Sequence, residues 1–203
     1  MKKVLLIDIS HLFFRAFYAV PPNFKMPDGT PSNAVYGVIS TTFSLIETEQ
    51  PTHVFFARDL KGPTKRHEQM EGYKAGRPDM PEELVQQLPY IFGFVQDALG
   101  APLLSKEGYE ADDIIATVAE HYRDQPETEV IILSGDQDLL QLVGDNICIL
   151  QPQKTPISDA PTGYSILDRS HFPIPTRKKL RFLQLLLARH QTGLTLDRLT
   201  AGA

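Results

Sequence analysis

The sequence predicts an α/β fold built on a mainly parallel sheet that is buried on both faces. Short apolar runs alternate with segments in which apolar residues recur at helical spacing, and the 203-residue chain is 42% apolar. Continuous apolar strands are typical of sheets that are covered on both sides, whereas a half-solvated strand alternates apolar and polar residues. This length and composition supply a core for one or two globular domains.

Five apolar runs are predicted to form the strands. Each is short, rich in branched or aromatic residues, and bounded by polar residues, proline or glycine. In chain order they cover residues 3–9, 53–57, 101–104, 129–133 and 146–150.

Helical patterns fill most of the intervals between the strands. They cover residues 11–20, 34–49, 82–99, 110–123 and 136–143. Ser32 stands at the N-cap position of the second helix. Gly100 is the predicted end of the third helix, which Pro89 should kink.

Charge and composition change near residue 155. Residues 1–150 contain 12 Lys and Arg against 22 Asp and Glu, a net charge of −10, whereas residues 151–203 contain 8 against 3, a net charge of +5. We therefore divide the chain into a domain over residues 1–154 and a basic, Pro- and Leu-rich tail over residues 155–203. The acidic body argues against a protein that simply coats nucleic acid.

The sequence predicts neither a signal peptide nor a membrane span. Asp8 cuts the apolar start to residues 4–7, and no later stretch approaches the ~20 apolar residues that cross a bilayer. Cys148 is the only cysteine, so no disulfide forms within the chain. We expect a cytoplasmic protein that does not associate with membranes.

Acidic residues follow the predicted strands or begin the predicted helices. Because the carboxyl ends of parallel strands lie along one edge of a sheet, we expect these carboxylates to share one rim. They are Asp8, Asp59, Glu110, Asp112, Asp113, Asp136 and Asp138. An acid in the first turn of a helix is also favoured by ~0.3–1 kcal/mol, so the groups at 110–113 and 136–138, taken singly, are typical of helix caps. Capping does not explain an acid at Asp8 or Asp59.

Carboxylates crowded along one rim repel each other, and this repulsion must be offset. Two like charges ~4 Å apart repel by ~4 kcal/mol at an effective dielectric constant of ~20. Either several acids are protonated or bound cations neutralise them, and all-oxygen ligands favour Mg²⁺ or Mn²⁺ over zinc. Carboxylates that hold such ions commonly serve phosphodiester hydrolysis, because the ions activate water and stabilise the attacking and leaving oxygens. The rim therefore predicts metal-dependent phosphodiester hydrolysis.

A basic loop between residues 60 and 81 supports this prediction. It contains Lys61, Lys65, Arg66, Lys74 and Arg77, and Tyr73 can stack on an unpaired base. Alone, such a stretch is typical of a solvated loop, but beside a metal-holding rim it favours binding to a polyanion. Arg15, two helical turns beyond Asp8, is placed either to clamp a phosphate or to form a surface ion pair.

Five ordered motifs over residues 1–154 resemble those of the 5′-nuclease family, the flap endonucleases and 5′–3′ exonucleases that include the N-terminal domain of bacterial DNA polymerase I. They are LLIDISHLFFRAFYA (5–19), DGTPSNAVYGV (28–38), DLKGPTKRHEQMEGYKAGRPDMP (59–81), EGYEADDIIAT (107–117) and SGDQDLLQLV (134–143). The resemblance implies a PIN-like (resolvase-like) fold with helices on both faces of the sheet, plus a helical-arch segment. It also implies Mg²⁺-dependent cleavage of DNA, and often RNA, at 5′ ends and flaps.

By the same resemblance, the seven acids are metal ligands. Arg15 and Lys74 match catalytic positions at the scissile phosphate, and Arg66, Tyr73 and Arg77 match positions that contact a strand threaded through the arch. The tail departs from the family pattern, because it lacks both the further Gly-Asp…Ser-Asp-Asn acids and a Gly-x-Gly turn. We expect weak or absent nuclease activity and hypothesise that the tail is read in a shifted frame or is an unrelated replacement.

Two other functions are weighed against a nuclease. A catalytically inactive remnant would bind nucleic acid through its basic loop and tail without cutting it. A receiver-like domain would accept a phosphoryl group on Asp59, but it would leave the acids at 110–113 and 136–138 without a role.

Overall fold

Parallel strands form one five-stranded sheet. The computed structural model describes residues 1–60, 62, 64–66 and 78–151. The strands are β1 (Lys2–Asp8), β2 (His53–Ala57), β3 (Leu103–Leu104), β4 (Thr128–Leu133) and β5 (Ile147–Leu150). Their spatial order is β3-β2-β1-β4-β5, and every strand pairing is parallel, which confirms the predicted sheet.

Helices connect the strands. They are α1 (Ile9–Ala19), α2 (Asn33–Glu49), α3 (Glu82–Val85), α4 (Leu88–Gly93) and α5 (Ala111–Arg123), together with a π-helical turn (Phe94–Ala98) and a 3₁₀ helix (Asp138–Leu142). A 3₁₀ helix forms where a short helix was predicted over 136–143, and β3 is shorter than the run predicted over 101–104. None of the helices in the described ranges is long and apolar enough to cross a membrane.

The central strand β1 packs apolar side chains on both faces of the sheet. Leu5 and Ile7 belong to a buried cluster with residues of α1, α2 and α4, whereas Val4 and Leu6 belong to a second cluster with residues of α5 and the 3₁₀ helix. Successive strand residues point to opposite faces, so one continuous apolar run serves both clusters. The prediction of helices on both faces is therefore confirmed.

The long helix predicted over 82–99 is broken, not merely kinked. α3 ends at Val85, and Pro89 lies in the first turn of α4. Proline has no backbone N–H and clashes with the preceding turn, so it is favoured in a first turn and disfavoured inside a helix. The segment then ends at Gly100, whose φ of 61° suits glycine, and this predicted end is confirmed.

Gln87, and not the predicted Ser32, caps α2 with its side chain. Ser32 occupies the N-cap position but makes no side-chain capping hydrogen bond. The buried Gln87 Oε1 accepts hydrogen bonds from the backbone N–H groups of Ala34 (2.8 Å) and Val35 (3.2 Å). Its Nε2 donates to Asn33 Oδ1 at 3.0 Å. A residue 53 positions from Ala34 thus satisfies the free donors at the start of this helix.

Some predictions fall outside the described residues. They are the part of the helical-arch segment over residues 67–77, with Tyr73, Lys74 and Arg77, and the tail over 155–203. The division of the chain at residue 154 stays a prediction.

Candidate active site

The carboxyl ends of β1 and β4 meet where the direction of the strand order changes. From the central β1, the chain adds β2 and β3 on one side, and β4 and β5 lie on the other side. The loops that leave adjacent strands on opposite sides of such a switch point diverge and leave a crevice, where parallel α/β sheets commonly bind ligands. Here the crevice is a cleft of about 460 Å³.

Six of the seven predicted acids line this cleft. They are Asp8, Asp59, Glu110, Asp112, Asp136 and Asp138. Ser10, His11, Phe14, Arg66, Ala111 and Gly135 complete the lining. Segments that are more than 100 residues apart in the chain therefore deliver carboxylates to one site, as expected for the ends of parallel strands.

Among the described residues, Asp8 is the only buried aspartate, and it is the N-cap residue of α1, so an acid at this position does cap a helix, contrary to the prediction. Its Oδ1 accepts a hydrogen bond from the backbone N–H of His11 (2.9 Å), and its Oδ2 accepts one from the Ser134 hydroxyl (3.0 Å). Burial raises the pKa of Asp8 to about 6 against the effect of both hydrogen bonds, and the negative charges of Asp59 and Asp136 raise it further. This carboxyl therefore holds its proton more tightly than an exposed aspartate does.

Asp59 and Glu110 meet at the start of α5. Asp59 Oδ1 accepts a hydrogen bond from the backbone N–H of Ala111 at 2.8 Å, and the Asp59 N–H donates to Ser10 Oγ at 3.2 Å. Glu110 is the N-cap residue of α5 and is 5% exposed. Anionic groups are stabilised at a helix N-terminus by the free N–H groups and the helix dipole.

Asp136 and Asp138 are held by the turn that follows β4. The Asp136 N–H donates to Ser134 Oγ at 3.2 Å, and Asp136 Oδ1 accepts from the Asp138 N–H at 2.9 Å. Ser134 thus contacts both Asp8 and the backbone of Asp136. This short turn places the acids of the SGDQD motif beside the end of β1.

Arg66 supplies positive charge to one side of the cleft. Its Nη1 donates to Glu110 Oε2 (2.7 Å) and Asp112 Oδ2 (2.8 Å), and its Nη2 donates to Asp113 Oδ1 (2.8 Å). Protonated acids and bound cations were the two predicted ways to offset repulsion among the acids. The Arg66 guanidinium offsets this repulsion in a third way.

Two predicted site residues do not line the cleft. Asp113 Oδ2 accepts a hydrogen bond from the Glu110 backbone N–H at 3.0 Å, so Asp113 caps α5 while its other oxygen contacts Arg66. Arg15 is buried in α1 and does not lie on the exposed surface. Burial lowers the pKa of the His11 imidazole, and the positive charge of Arg15 lowers it further, so Arg15 lies near this cleft residue.

Sequence reasoning did not single out Ser10, His11, Ser134 or Gly135 for the site. A Cβ on Gly135 would lie 2.3 Å from His11 Nε2, so a glycine at this position allows the imidazole to pack against the turn. The sequence feature that could have identified these residues was their position, because all four follow shortly after β1 or β4 in the chain.

The donors in the cleft suit a hard divalent cation. Carboxylate oxygens are the ligands that Mg²⁺ and Mn²⁺ prefer, and the negative charges of Asp59 and Asp136 add to the effect of burial in raising the pKa of Asp8. Among the described residues, no three His, Cys, Asp or Glu side chains converge closely enough to hold an ion as they stand. The residues therefore fit a divalent ion in chemistry and charge, and their side chains would have to move together to bind it.

Known proteins are similar to this chain in sequence and in fold. The family profile described as "5'-3' exonuclease, N-terminal resolvase-like domain" matches residues 3–170. The chain is 43% identical over 155 residues to DNA polymerase I of Mycobacterium tuberculosis (strain ATCC 25618 / H37Rv), covering 74% of this chain and 17% of the relative. It is 41% identical over 152 residues to a 5'-3' exonuclease of Aquifex aeolicus (strain VF5), covering 75% and 52%.

A solved structure shows the same fold. The T5 D15 protein co-crystallized with metal ions aligns with a TM-score of 0.57 at 23% identity, covering 74% of this chain and 55% of that chain. The chain thus spans about half the length, or less, of the proteins it matches. The match confirms the expected resolvase-like fold. The sequence, the sheet order and the acidic cleft agree: this chain belongs to the 5′–3′ exonuclease N-terminal resolvase-like domain family.

Proposed function

We propose that this chain is a divalent-metal-dependent 5′–3′ exonuclease and flap endonuclease that hydrolyses DNA phosphodiester bonds. The observation that carries the proposal is the cleft at the switch point, which gathers six carboxylates around the buried Asp8. Relatives named DNA polymerase I and 5'-3' exonuclease support it. RNA is a further substrate of the same chemistry, and the cytoplasm is the proposed location.

The six acids of the cleft would hold Mg²⁺ or Mn²⁺, with Asp113 at the margin of the site. The T5 D15 protein, which shares the fold, was co-crystallized with metal ions. When bound, divalent ions activate water and neutralise the charge that develops on phosphodiester oxygens. The Ser134 hydroxyl and the His11 N–H donate hydrogen bonds to Asp8, and the Ala111 N–H donates one to Asp59.

Cationic and aromatic residues would bind the substrate. Arg15 and Lys74 hold the scissile phosphate, and Arg66, Tyr73 and Arg77 contact the strand that reaches the cleft. Hydrolysis leaves a 5′-phosphate on the product. Arg15 lies beside His11 of the cleft, which supports its assignment.

A cleavage assay on a labelled 5′-flap duplex with Mg²⁺ or Mn²⁺ tests the proposal. Asp112→Asn should lose at least about 90% of the activity, because this acid lines the cleft. Asp145→Asn is the matched control, since Asp145 is exposed just before β5, at the opposite edge of the sheet. Cleavage that persists in EDTA, or that is equal in Asp112→Asn and the wild type, would refute the assignment.

A second candidate is a chain that binds nucleic acid without cutting it. One observation favours it: no three metal-binding side chains converge among the described residues. Fluorescence anisotropy with the same flap duplex separates the two functions. Binding without product at any concentration of either metal ion would support the second candidate.

A further inference from the structure

The acids of the site fall into two groups according to their contacts with Arg66. Glu110, Asp112 and Asp113 each accept a hydrogen bond from its guanidinium at 2.7–2.8 Å. The cleft aspartates of the second group make no ion pair within the described residues; they are Asp8, Asp59, Asp136 and Asp138. The cleft is therefore neutralised on one side only.

The segment that carries Arg66 is attached to the start of α5 by other contacts as well. The Lys65 N–H donates to the Gly108 carbonyl at 3.0 Å, and Lys65 Nζ lies 4.4 Å from the centre of the Tyr109 ring. Thr64 Oγ1 donates to Glu110 Oε1 at 3.4 Å. Because these contacts hold the segment without the guanidinium, the Arg66 side chain can change partners while its backbone stays in place.

We propose that Arg66 is an internal counter-cation that competes with the divalent ion for Glu110, Asp112 and Asp113. This inference rests on the proposed function, because it concerns how the same cleft takes up its metal. A guanidinium hydrogen-bonded to three carboxylates occupies oxygens that a small divalent ion would need at about 2.0–2.2 Å. Two cations beside the same oxygens also repel each other strongly at short range.

Competition has a consequence for substrate binding. When the divalent ion takes the carboxylates, the guanidinium of Arg66 is released at the edge of the cleft. Its fork of N–H donors matches the oxygens of a phosphate group as well as those of a carboxylate. Metal uptake and nucleic-acid binding are therefore coupled through one side chain, which pairs with acids in the metal-free chain and with phosphate in the loaded chain.

Calorimetric titration of Mn²⁺ into the metal-free full chain tests the competition without an activity assay. Arg66→Ala should bind Mn²⁺ about tenfold more tightly than the wild type, because the competing positive charge is gone. Arg66→Lys keeps the charge and should stay within about threefold of the wild type. Lys65→Ala is the matched control: it also removes one positive charge, and the Lys65 ammonium contacts the Tyr109 side chain.

Thermal unfolding supplies a second measurement. In EDTA, Arg66→Ala should melt several degrees below the wild type, because three carboxylates lose their counter-cation. Saturating Mn²⁺ should remove this difference in melting temperature. If Arg66→Ala is poorly folded, Arg66→Gln takes its place, since an amide keeps a hydrogen bond to the acids without the charge.

The following results would contradict the proposal that Arg66 competes with the divalent ion. Mn²⁺ binding by Arg66→Ala that equals or falls below that of the wild type shows that Arg66 only attaches its segment to α5. A tenfold gain in Mn²⁺ affinity for Lys65→Ala as well would show that net charge, and not contact with the acids, controls Mn²⁺ binding. If neither chain binds Mn²⁺, the proposed function fails together with this inference, whereas a wild type that binds Mn²⁺ without the expected gain in Arg66→Ala refutes the competition alone.

Discussion

The Ser134 hydroxyl donates a 3.0 Å hydrogen bond to the Asp8 carboxylate across 126 residues of sequence. Ser134 is fully buried, and its oxygen also accepts a hydrogen bond from the Asp136 N–H. One hydroxyl therefore links the end of β1 to the turn after β4, where two cleft acids lie. This link joins the two sides of the switch point, and its hydrogen bond lowers the pKa of Asp8, which burial raises.

Ser134→Ala should destabilise the chain and raise the pKa of Asp8 further. The variant leaves one oxygen of a buried carboxylate without its donor, which costs about 1–3 kcal/mol. The Ser134 hydrogen bond lowers the pKa of Asp8, so its loss acts in the same direction as burial. Urea unfolding measures the cost, with the exposed Ser105→Ala as control. Equal unfolding midpoints for the two variants would show that this hydroxyl does not stabilise the fold.

Asp8→Asn should stabilise the metal-free chain at neutral pH while removing metal binding. A raised pKa means that the folded chain holds the proton more tightly than the unfolded chain. The contribution of Asp8 to stability is therefore fully present below pH 3.8 and is lost as the pH rises through about 6. Asn carries no charge, so the advantage of the variant should grow to about 2 kcal/mol at neutral pH. Urea unfolding in EDTA at acidic and neutral pH measures the difference in stability between the variant and the wild type. A variant that is less stable than the wild type at neutral pH would contradict the prediction.

Metal affinity should depend on the ionisation of Asp8. Below its pKa of about 6, a proton must leave this carboxyl before it can bind a cation. We expect the association constant for Mn²⁺ to fall about tenfold for each unit of pH below that value. Titration calorimetry in two buffers of different ionisation enthalpy counts the released protons. Binding that is constant across this pH range would exclude Asp8 as a ligand.

Gln87→Met should cost about 2–4 kcal/mol of folding free energy. Methionine has a similar size but leaves the buried N–H groups of Ala34 and Val35 without acceptors. The exposed neighbour gives a matched control, Gln86→Met, for which we expect a change below about 0.5 kcal/mol. Urea unfolding compares the two variants. Equal effects would mean that the start of α2 does not depend on this distant cap.

Gly37→Ala should force α1 and α2 apart. A Cβ at Gly37 would lie 2.6 Å from Ala16 Cβ and 3.3 Å from Ala16 Cα, so the helices must shift at a cost of about 1–3 kcal/mol. The double variant Ala16→Gly/Gly37→Ala moves the methyl group to the other helix and should recover part of the loss. A double-mutant cycle by thermal unfolding gives the coupling free energy between positions 16 and 37. Strictly additive effects of the two substitutions would contradict the close contact between the helices.

Much of the fold could be predicted because its signals are local. The run HVFFA gave the bounds of β2, and the acids after β1 and before α5 were placed at one rim by the rule that parallel strands end on the same edge. Pro89 was predicted to kink the third helix, but the full break was not predicted, because apolar spacing continues through it. The role of Gln87 was missed because nothing near it in the sequence shows that its side chain caps α2.

The sequence by itself determined the parallel sheet, the two covered faces and the set of acids, since apolar runs and residue order encode them directly. Tertiary structure alone decided that Ser134 holds Asp8 and that Arg66 neutralises one side of the cleft. Hydrogen bonds and ion pairs depend on distances of a few ångströms between segments that are far apart in the chain. Those distances exist only after the strands have paired and the helices have packed.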